Sequence, residues 1–486
     1  MADILRSLAS IFSGRVVKTA IGVAFTPLLV RVLTQPQYGS YATVMAAFAV
    51  LSLLAKGGLF DALRKMVAEY ASGDPHQSDI VSIALVSSLL YFCVVVVSTA
   101  LFMSQFRIVS IQKAAYLPLL LLALLFSNLF AVIRGAFYGL QREHVSEILQ
   151  IVQRATFAGL ALSLAYLGFE LTGVFAGYLA SFVVVAVVGL WFLFVELRIH
   201  VPARHKVKSI ATELFSYGGT QLIGGLSALL LYKTDILLVR YFRDSTSTAL
   251  YNAAIVPAEY VWFVPAVMQM AFLQRTASLW ADNRIDAIND QIRTGVTYAL
   301  LSLTLFGVGL YALAGPFLEL YFGAEYLSAS RPLRILIVGT FFFGISRVVN
   351  PVFQATGWIK YTEANTVVVL AVNVLLNLLL IPRYGILGAA IATSCSYVLM
   401  FAGVATIWWR STFAFPDRRF VARILLVQAG FALVFIWLVS TVDLRATLSL
   451  LVFPFLGAAI FTGLNVVAGI IEFDDLLGLS ERVLGR

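Results

Sequence analysis

Apolar residues in this chain come in long continuous runs, separated by short polar breaks. They neither alternate with polar residues nor keep to one stripe of a helix. A helical run of about 20 apolar residues crosses a hydrocarbon core about 30 Å thick. Fourteen runs are predicted as membrane-spanning helices, over 9–33, 38–56, 80–104, 114–138, 146–168, 171–195, 213–239, 249–272, 294–315, 331–355, 362–382, 384–410, 420–440 and 446–471. The first, fourth and seventh carry charges and are the least regular. Barrel strands are excluded, because their residues alternate. The fold class read from this pattern is all-α, a polytopic membrane protein of about 14 transmembrane helices. The longest polar stretches, about 196–212 and 273–293, are read as loops too short for a soluble domain. Any chemistry therefore belongs to the helices or their ends.

The pattern repeats weakly. Thr172-Gly173-Val174-Phe175-Ala176-Gly177-Tyr178-Leu179-Ala180-Ser181 resembles Leu387-Gly388-Ala389-Ala390-Ile391-Ala392-Thr393-Ser394-Cys395-Ser396 at a spacing of about 215 residues. Tyr38-Gly39-Ser40-Tyr41-Ala42 echoes Ala249-Leu250-Tyr251-Asn252-Ala253 at about 210. Small and aromatic residues also recur by chance in membrane proteins, but these echoes fall at matching places in the topology. The spacing equals six helices, so both copies have one orientation, a parallel repeat. The expected organisation is a six-helix lobe over 1–200, a second over 201–412, and two further helices with a cytoplasmic tail over 413–486.

Composition agrees with the pattern. Of 486 residues, 60% are hydrophobic and 12% charged, against roughly 25% charged in soluble domains. A net charge of +9 would suggest nucleic acid in a soluble protein. Here most basic residues sit in short loops, and topology explains them. With a cytoplasmic N-terminus, eighteen basic residues fall in inside segments and nine in outside ones, which predicts both termini inside. Cys93 and Cys395 lie in apolar runs without metal-ligand spacing and are read as packing residues. No signal-peptide cleavage pattern follows the first run.

Ionisable side chains inside spans are unfavourable and mark cavities or partners. Arg15 and Lys18 share a face of the first span, and Arg134 lies near the inner end of the fourth. Arg154 sits roughly 12 Å into the fifth span, with Glu147 and Gln150 on its face, and Arg347 stands in the inner half of the tenth. One reading is snorkelling of these five cations to the inner interface. The other is an inward-opening cavity that attracts an anion, for which arginine's planar fork suits phosphate. Lys233 and Glu259 lie at matching depths in consecutive spans, with Asp235 beside Lys233 on another face, and Pro257 and Pro265 are expected to bend the helix around Glu259. A static ion pair is one reading of Lys233 and Glu259. A carboxylate taking up H⁺ or Na⁺ is the other. Thr362, Thr366, Asn373 and Asn377 form a polar stripe that either lines a cavity or joins helices.

No Walker motif, GxGxxG, HExxH or GxSxG occurs in a fitting context. ATP hydrolysis, enzymatic catalysis, a bound cofactor and a metal site are therefore not expected. The outside turn at 34–37 has no acidic residue, which disfavours a membrane glycosyltransferase or polymerase.

Three stretches resemble the polysaccharide-exporter branch of the multidrug/oligosaccharidyl-lipid/polysaccharide (MOP) transporter superfamily. They are Arg31-Val32-Leu33-Thr34-Gln35-Pro36-Gln37-Tyr38-Gly39-Ser40-Tyr41-Ala42, then Thr234-Asp235-Ile236-Leu237-Leu238-Val239 with Leu250-Tyr251-Asn252-Ala253-Ala254, and Tyr384-Gly385-Ile386-Leu387-Gly388-Ala389-Ala390-Ile391-Ala392-Thr393. Thr34 and Leu250 stand where the family usually has glycine. The resemblance implies two six-helix lobes around a central cavity, alternating access, and export of an oligosaccharide on polyprenyl pyrophosphate across a bacterial inner membrane. The cations Arg15, Lys18, Arg134, Arg154 and Arg347 suit that pyrophosphate, Asp235 or Glu259 with Lys233 is the candidate for sensing a coupling ion, and membrane lipids with a glycosyltransferase or polymerase are the candidate partners. Drug export is the alternative, which an excess of buried cations disfavours.

Overall fold

The computed structural model describes residues 2–471 except 72, 106–115, 198–199, 201 and 443, with the backbone alone for 2–13, 15 and 102–105. The chain forms two compact units, Met1–Leu237 and Leu238–Arg486. In the first, α1 (Ala2–Val32), α2 (Gln35–Lys56), α3 (Leu59–Ala68), α4 (Pro75–Gln105), α5 (Leu117–Gly139), α6 (Glu143–Leu164) and α7 (Glu170–Glu196) lead to α8 (Arg204–Phe242), inside which the division falls. The second holds α9 (Ser245–Tyr260), α10 (Phe263–Ala281), α11 (Ile285–Ala312), α12 (Ala314–Tyr321), α13 (Ser330–Ala355), α14 (Ile359–Tyr384), α15 (Ile386–Arg410), α16 (Arg418–Thr441) and α17 (Ala446–Val467).

Among the described residues, eleven helices are long and apolar enough to cross a membrane, or twelve with the bent pair α9–α10 taken as one. Glu143–Glu196 enters that number once, although Gly168 at φ 92° breaks it into α6 and α7. The protein is a multi-pass helical membrane protein. Its outer surface says so: Leu426, Leu433 and Trp437 of α16 are 74%, 73% and 65% exposed along one stripe. Lipid tolerates such a stripe where water would not.

Both polar stretches read as loops are largely helical. Over 273–293, α10 runs to Ala281 and α11 starts at Ile285; over 196–212, α8 starts at Arg204. Polar side chains there extend the helices beyond the apolar zone. Cys93 and Cys395 face outward and do not pack inside.

The repeat shows in the packing within each unit. In the first, α7 packs on α6 and α5, α5 on α3, and α4 on α5 and α3. In the second, α15 packs on α14 and α13, α13 on α10, and α11 on α13 and α10. Each copy has a broken second helix. Gly57 and Gly58, at φ 55° and 72°, separate α2 from α3. The other break, between Pro257 and Pro265, turns α9 against α10 by 51°. The repeated glycines close the last hairpins. A Cβ on Gly173 would stand 2.9 Å from those of Leu164 and Phe169, and one on Gly388 would stand 2.3 Å from the Leu380 oxygen. The turn into the second helix touches the turn into the last one in both copies. Gln37 Nε2 donates to Glu170 Oε2 at 2.7 Å, and Arg243 Nη2 donates to the Ile381 and Pro382 oxygens at 3.0 and 2.9 Å. In the second unit α16 stacks phenylalanines: Phe431 and Phe435 lie 5.5 Å apart, and Phe431 meets Phe461 of α17 at 5.2 Å.

Candidate functional site: a carboxylate hub between two parallel helices

Helices α1 and α6 run side by side in the same direction. Gly14, Lys18 and Gly22 recur every four residues on one face of α1, with Phe25 close behind. They meet Glu147, Gln150, Arg154 and Phe157 of α6 in ascending order. The glycines allow this approach. A Cβ on Gly14 would stand 2.6 Å from Glu147 Oε2, and one on Gly22 would stand 3.3 Å from Arg154 Nη2. Phe25 and Phe157 close the seam with ring centroids 5.0 Å apart.

Glu147, 4% exposed, is the hub. Its Oε2 pairs with Lys18 Nζ at 2.9 Å. Its Oε1 accepts from Tyr138 Oη at 2.8 Å and Gln150 Nε2 at 2.7 Å, and lies 3.8 Å from Arg134 Nη2. Lys18 also donates to Gln150 Oε1 at 2.9 Å. Arg134 donates from Nε to Ser146 Oγ at 3.1 Å, and its guanidinium lies 5.0 Å from the centre of the Phe60 ring. The side chains of Lys18 and Arg134 keep 25% and 24% exposure. A buried carboxylate is favourable only when paired and fully hydrogen-bonded, and these four partners achieve that.

Arg154 stands two turns beyond Glu147 on α6, half-buried, 5.9 Å from the centre of the Phe157 ring. It makes no ion pair among the described residues. Lys18, Arg134 and Arg154 lie along the seam; the Glu147 carboxylate pairs with Lys18 and Arg134 and makes no ion pair with Arg154. The structure brings these three together. The Arg15 side chain lies outside the described residues. Arg347, in the second unit, rests on the Trp262 and Phe343 rings at 5.2 and 5.6 Å.

Asp235 is 1% exposed in α8, with Oδ1 accepting the Ile236 N–H at 2.8 Å. Lys233 is half-buried in the same helix. Glu259 is half-buried at the end of α9, beside the bend. The polar stripe of α14 faces inward: Thr362 is 1% exposed and Asn373 and Asn377 fully buried, with Asn377 Nδ2 donating to Asn373 O at 2.9 Å.

Sequence reasoning placed Glu147 on the Arg154 face but gave it no role. The signal for one was Lys18 flanked by Gly14 and Gly22 at equal spacing. Small residues on both sides of a membrane cation announce a close helix contact, and hence a counter-charge on the neighbour.

The family model described as polysaccharide biosynthesis protein matches residues 4–271, more than half of the chain. The one described as lipid II flippase MurJ matches 155–456. The chain is 23% identical over 399 residues to a probable low-salt glycan biosynthesis flippase, Agl15, of Haloferax volcanii, covering 82% of each. It is 22% identical over 423 residues to a putative O-antigen transporter of Shigella flexneri, covering 82% of this chain and 96% of the relative. Among solved structures, the lipid II flippase MurJ in an inward closed conformation superposes with a TM-score of 0.75 at 14% identity, over 97% of this chain and 100% of that one. An inward-facing multidrug transporter of the MATE family gives 0.65 at 17% identity, over 81% and 94%. With its family model matched over most of the first unit and its helices arranged as in these transporters, the chain belongs to the polysaccharide biosynthesis protein family of the MOP superfamily of flippases and transporters.

Proposed function

We propose that this transporter flips an oligosaccharide carried on a polyprenyl pyrophosphate, and that the seam between α1 and α6 holds the pyrophosphate. The observation that carries the reading is the surplus of cation over carboxylate there, with Arg154 outside the Glu147 network. A half-buried guanidinium without a carboxylate partner is a standing attraction for an oxyanion. Lys18 is the second ligand: moving its ammonium from Glu147 and Gln150 to a phosphate oxygen exchanges like contacts for like. Arg134, fixed by Ser146 and Phe60, supports the hub from behind. Asp235 and Glu259 are our assignments for ion coupling, and the inner membrane with both termini inside is our assignment of place.

The test is reconstitution in vesicles with a fluorescent, short-chain polyprenyl-pyrophosphate sugar. Wild type is expected to move it across the bilayer. Losing one charge-assisted contact in Arg154→Ala is expected to slow it by about tenfold to a hundredfold. Asp235→Asn is expected to lose dependence on an imposed H⁺ or Na⁺ gradient. Equal rates for wild type and Arg154→Ala overturn the site. Export of ethidium without the glycolipid overturns the function in favour of drug export.

A further inference from the structure

At the end of the second unit where α8 turns into α9 and α14 into α15, a cleft of about 740 Å³ opens. Three arginines line it, Arg243, Arg331 and Arg383, together with Ser247, Ser328 and Ser330, and among the described residues no carboxylate does. The charge count of the sequence assigns this end to the outside, the face with fewer basic residues. Three guanidinium groups in one cleft on that face are not explained by topology.

Two acids lie near the cleft in sequence, Asp244 and Glu325, and both have contacts of their own. Asp244 Oδ1 accepts the Ser247 N–H at 2.7 Å and caps α9. The Glu325 carboxylate folds back over Gly323. Arg243 is anchored by its two bonds to the Ile381 and Pro382 carbonyls, which leaves other donors of its fork for a ligand. Arg331 and Arg383 are exposed and make no ion pair among the described residues. Tyr384 on the cleft wall is 59% exposed and nearby Tyr241 78%, the exposure of aromatics that stand at headgroup level. Exposed Leu327 adds an apolar lip.

We propose that this cleft binds the phosphate of a lipid headgroup. The diphosphate of a polyprenyl carrier and the phosphate of an anionic phospholipid share the chemistry three arginines recognise. The inference rests on the cleft alone and goes beyond the seam in the first unit.

The experiment uses the full chain in detergent micelles, carrying Lys18→Ala and Arg154→Ala so that binding at the seam does not count. Affinities are measured by thermophoresis for dioctanoyl phosphatidylglycerol, farnesyl pyrophosphate and inorganic phosphate. Saturable binding of at least one lipid is expected. Adding Arg331→Gln and Arg383→Gln is expected to weaken it by about tenfold or more, with retention in the paired lysine variants. Tighter farnesyl pyrophosphate identifies the carrier lipid, and tighter phosphatidylglycerol identifies the bilayer. Unchanged affinity in the glutamine variant, no saturable lipid binding, or inorganic phosphate binding as tightly as either lipid overturns the proposal. None of these outcomes bears on transport through the seam.

Discussion

Replacing Glu147 with alanine is expected to lower the unfolding free energy by about 3 kcal/mol. Removing one partner of a buried ion pair costs roughly 3–5 kcal/mol, because the other charge stays buried without compensation. Here two charges are stranded, but Lys18 and Arg134 each keep about a quarter of their side-chain surface. Neither cation is fully buried, and the lower end of the range applies. Tyr138→Phe deletes one hydrogen bond to the same carboxylate and is expected to cost about 1 kcal/mol. The measurement is reversible unfolding in mixed detergent micelles. A double-mutant cycle isolates the pair: with Lys18→Met added, part of the Glu147→Ala loss returns, and the coupling is expected at about 1–3 kcal/mol. Additive losses would show that the lysine and the glutamate do not depend on one another.

The hub shows where sequence reading stopped. The depth of Arg154 and the shared face of Arg15 and Lys18 follow from helical periodicity within one span. That Glu147 serves Lys18 of α1 and Arg134 of α5 depends on which helices are neighbours, and periodicity carries no such information. Lys18 and Arg134 share Glu147, whereas Arg154 makes no ion pair with it.

The helices were legible for the converse reason, since an apolar run of spanning length is a local property. Three elements escaped it. Helix α3 buries Leu59, Ala62, Leu63, Met66 and Val67 and exposes Arg64 and Lys65; it is amphipathic and too short to span, so hydropathy reads it as loop. Helix α10 continues past its apolar part on polar residues to Ala281. Short α12 lay at the edge of a predicted span. The bend near Glu259 was legible because prolines bracket it, and the end of the second span at residue 56 falls just before the break at Gly57-Gly58.

That break yields the largest stability effect expected. Gly58 sits at φ 72°, where a side chain costs roughly 1–2 kcal/mol. Its Cα also faces the backbone of α8, so that a Cβ would stand 2.1 Å from the Gly218 oxygen and 2.6 Å from its Cα. Neither atom belongs to a side chain that can rotate away; α8 itself must retreat, at a further 1–3 kcal/mol or about that. Gly58→Ala is thus expected to lose about 2–5 kcal/mol. Gly57→Ala meets the Tyr91 ring, a side chain with some freedom to shift, and is expected to lose less. Gly309→Ala, in α11 with nothing within 4 Å, is expected to gain about 0.5–1 kcal/mol from helix propensity. The consequence reaches the seam. Phe60, two residues beyond Gly58, supports the Arg134 guanidinium at 5.0 Å, and α3 cannot shift without moving it. Transport by Gly58→Ala should therefore fall further than by a variant of equal stability loss in α16 or α17. If Gly58→Ala unfolds within about 1 kcal/mol of wild type, less than the strain at φ 72° alone would cost, α3 and α8 do not meet backbone to backbone.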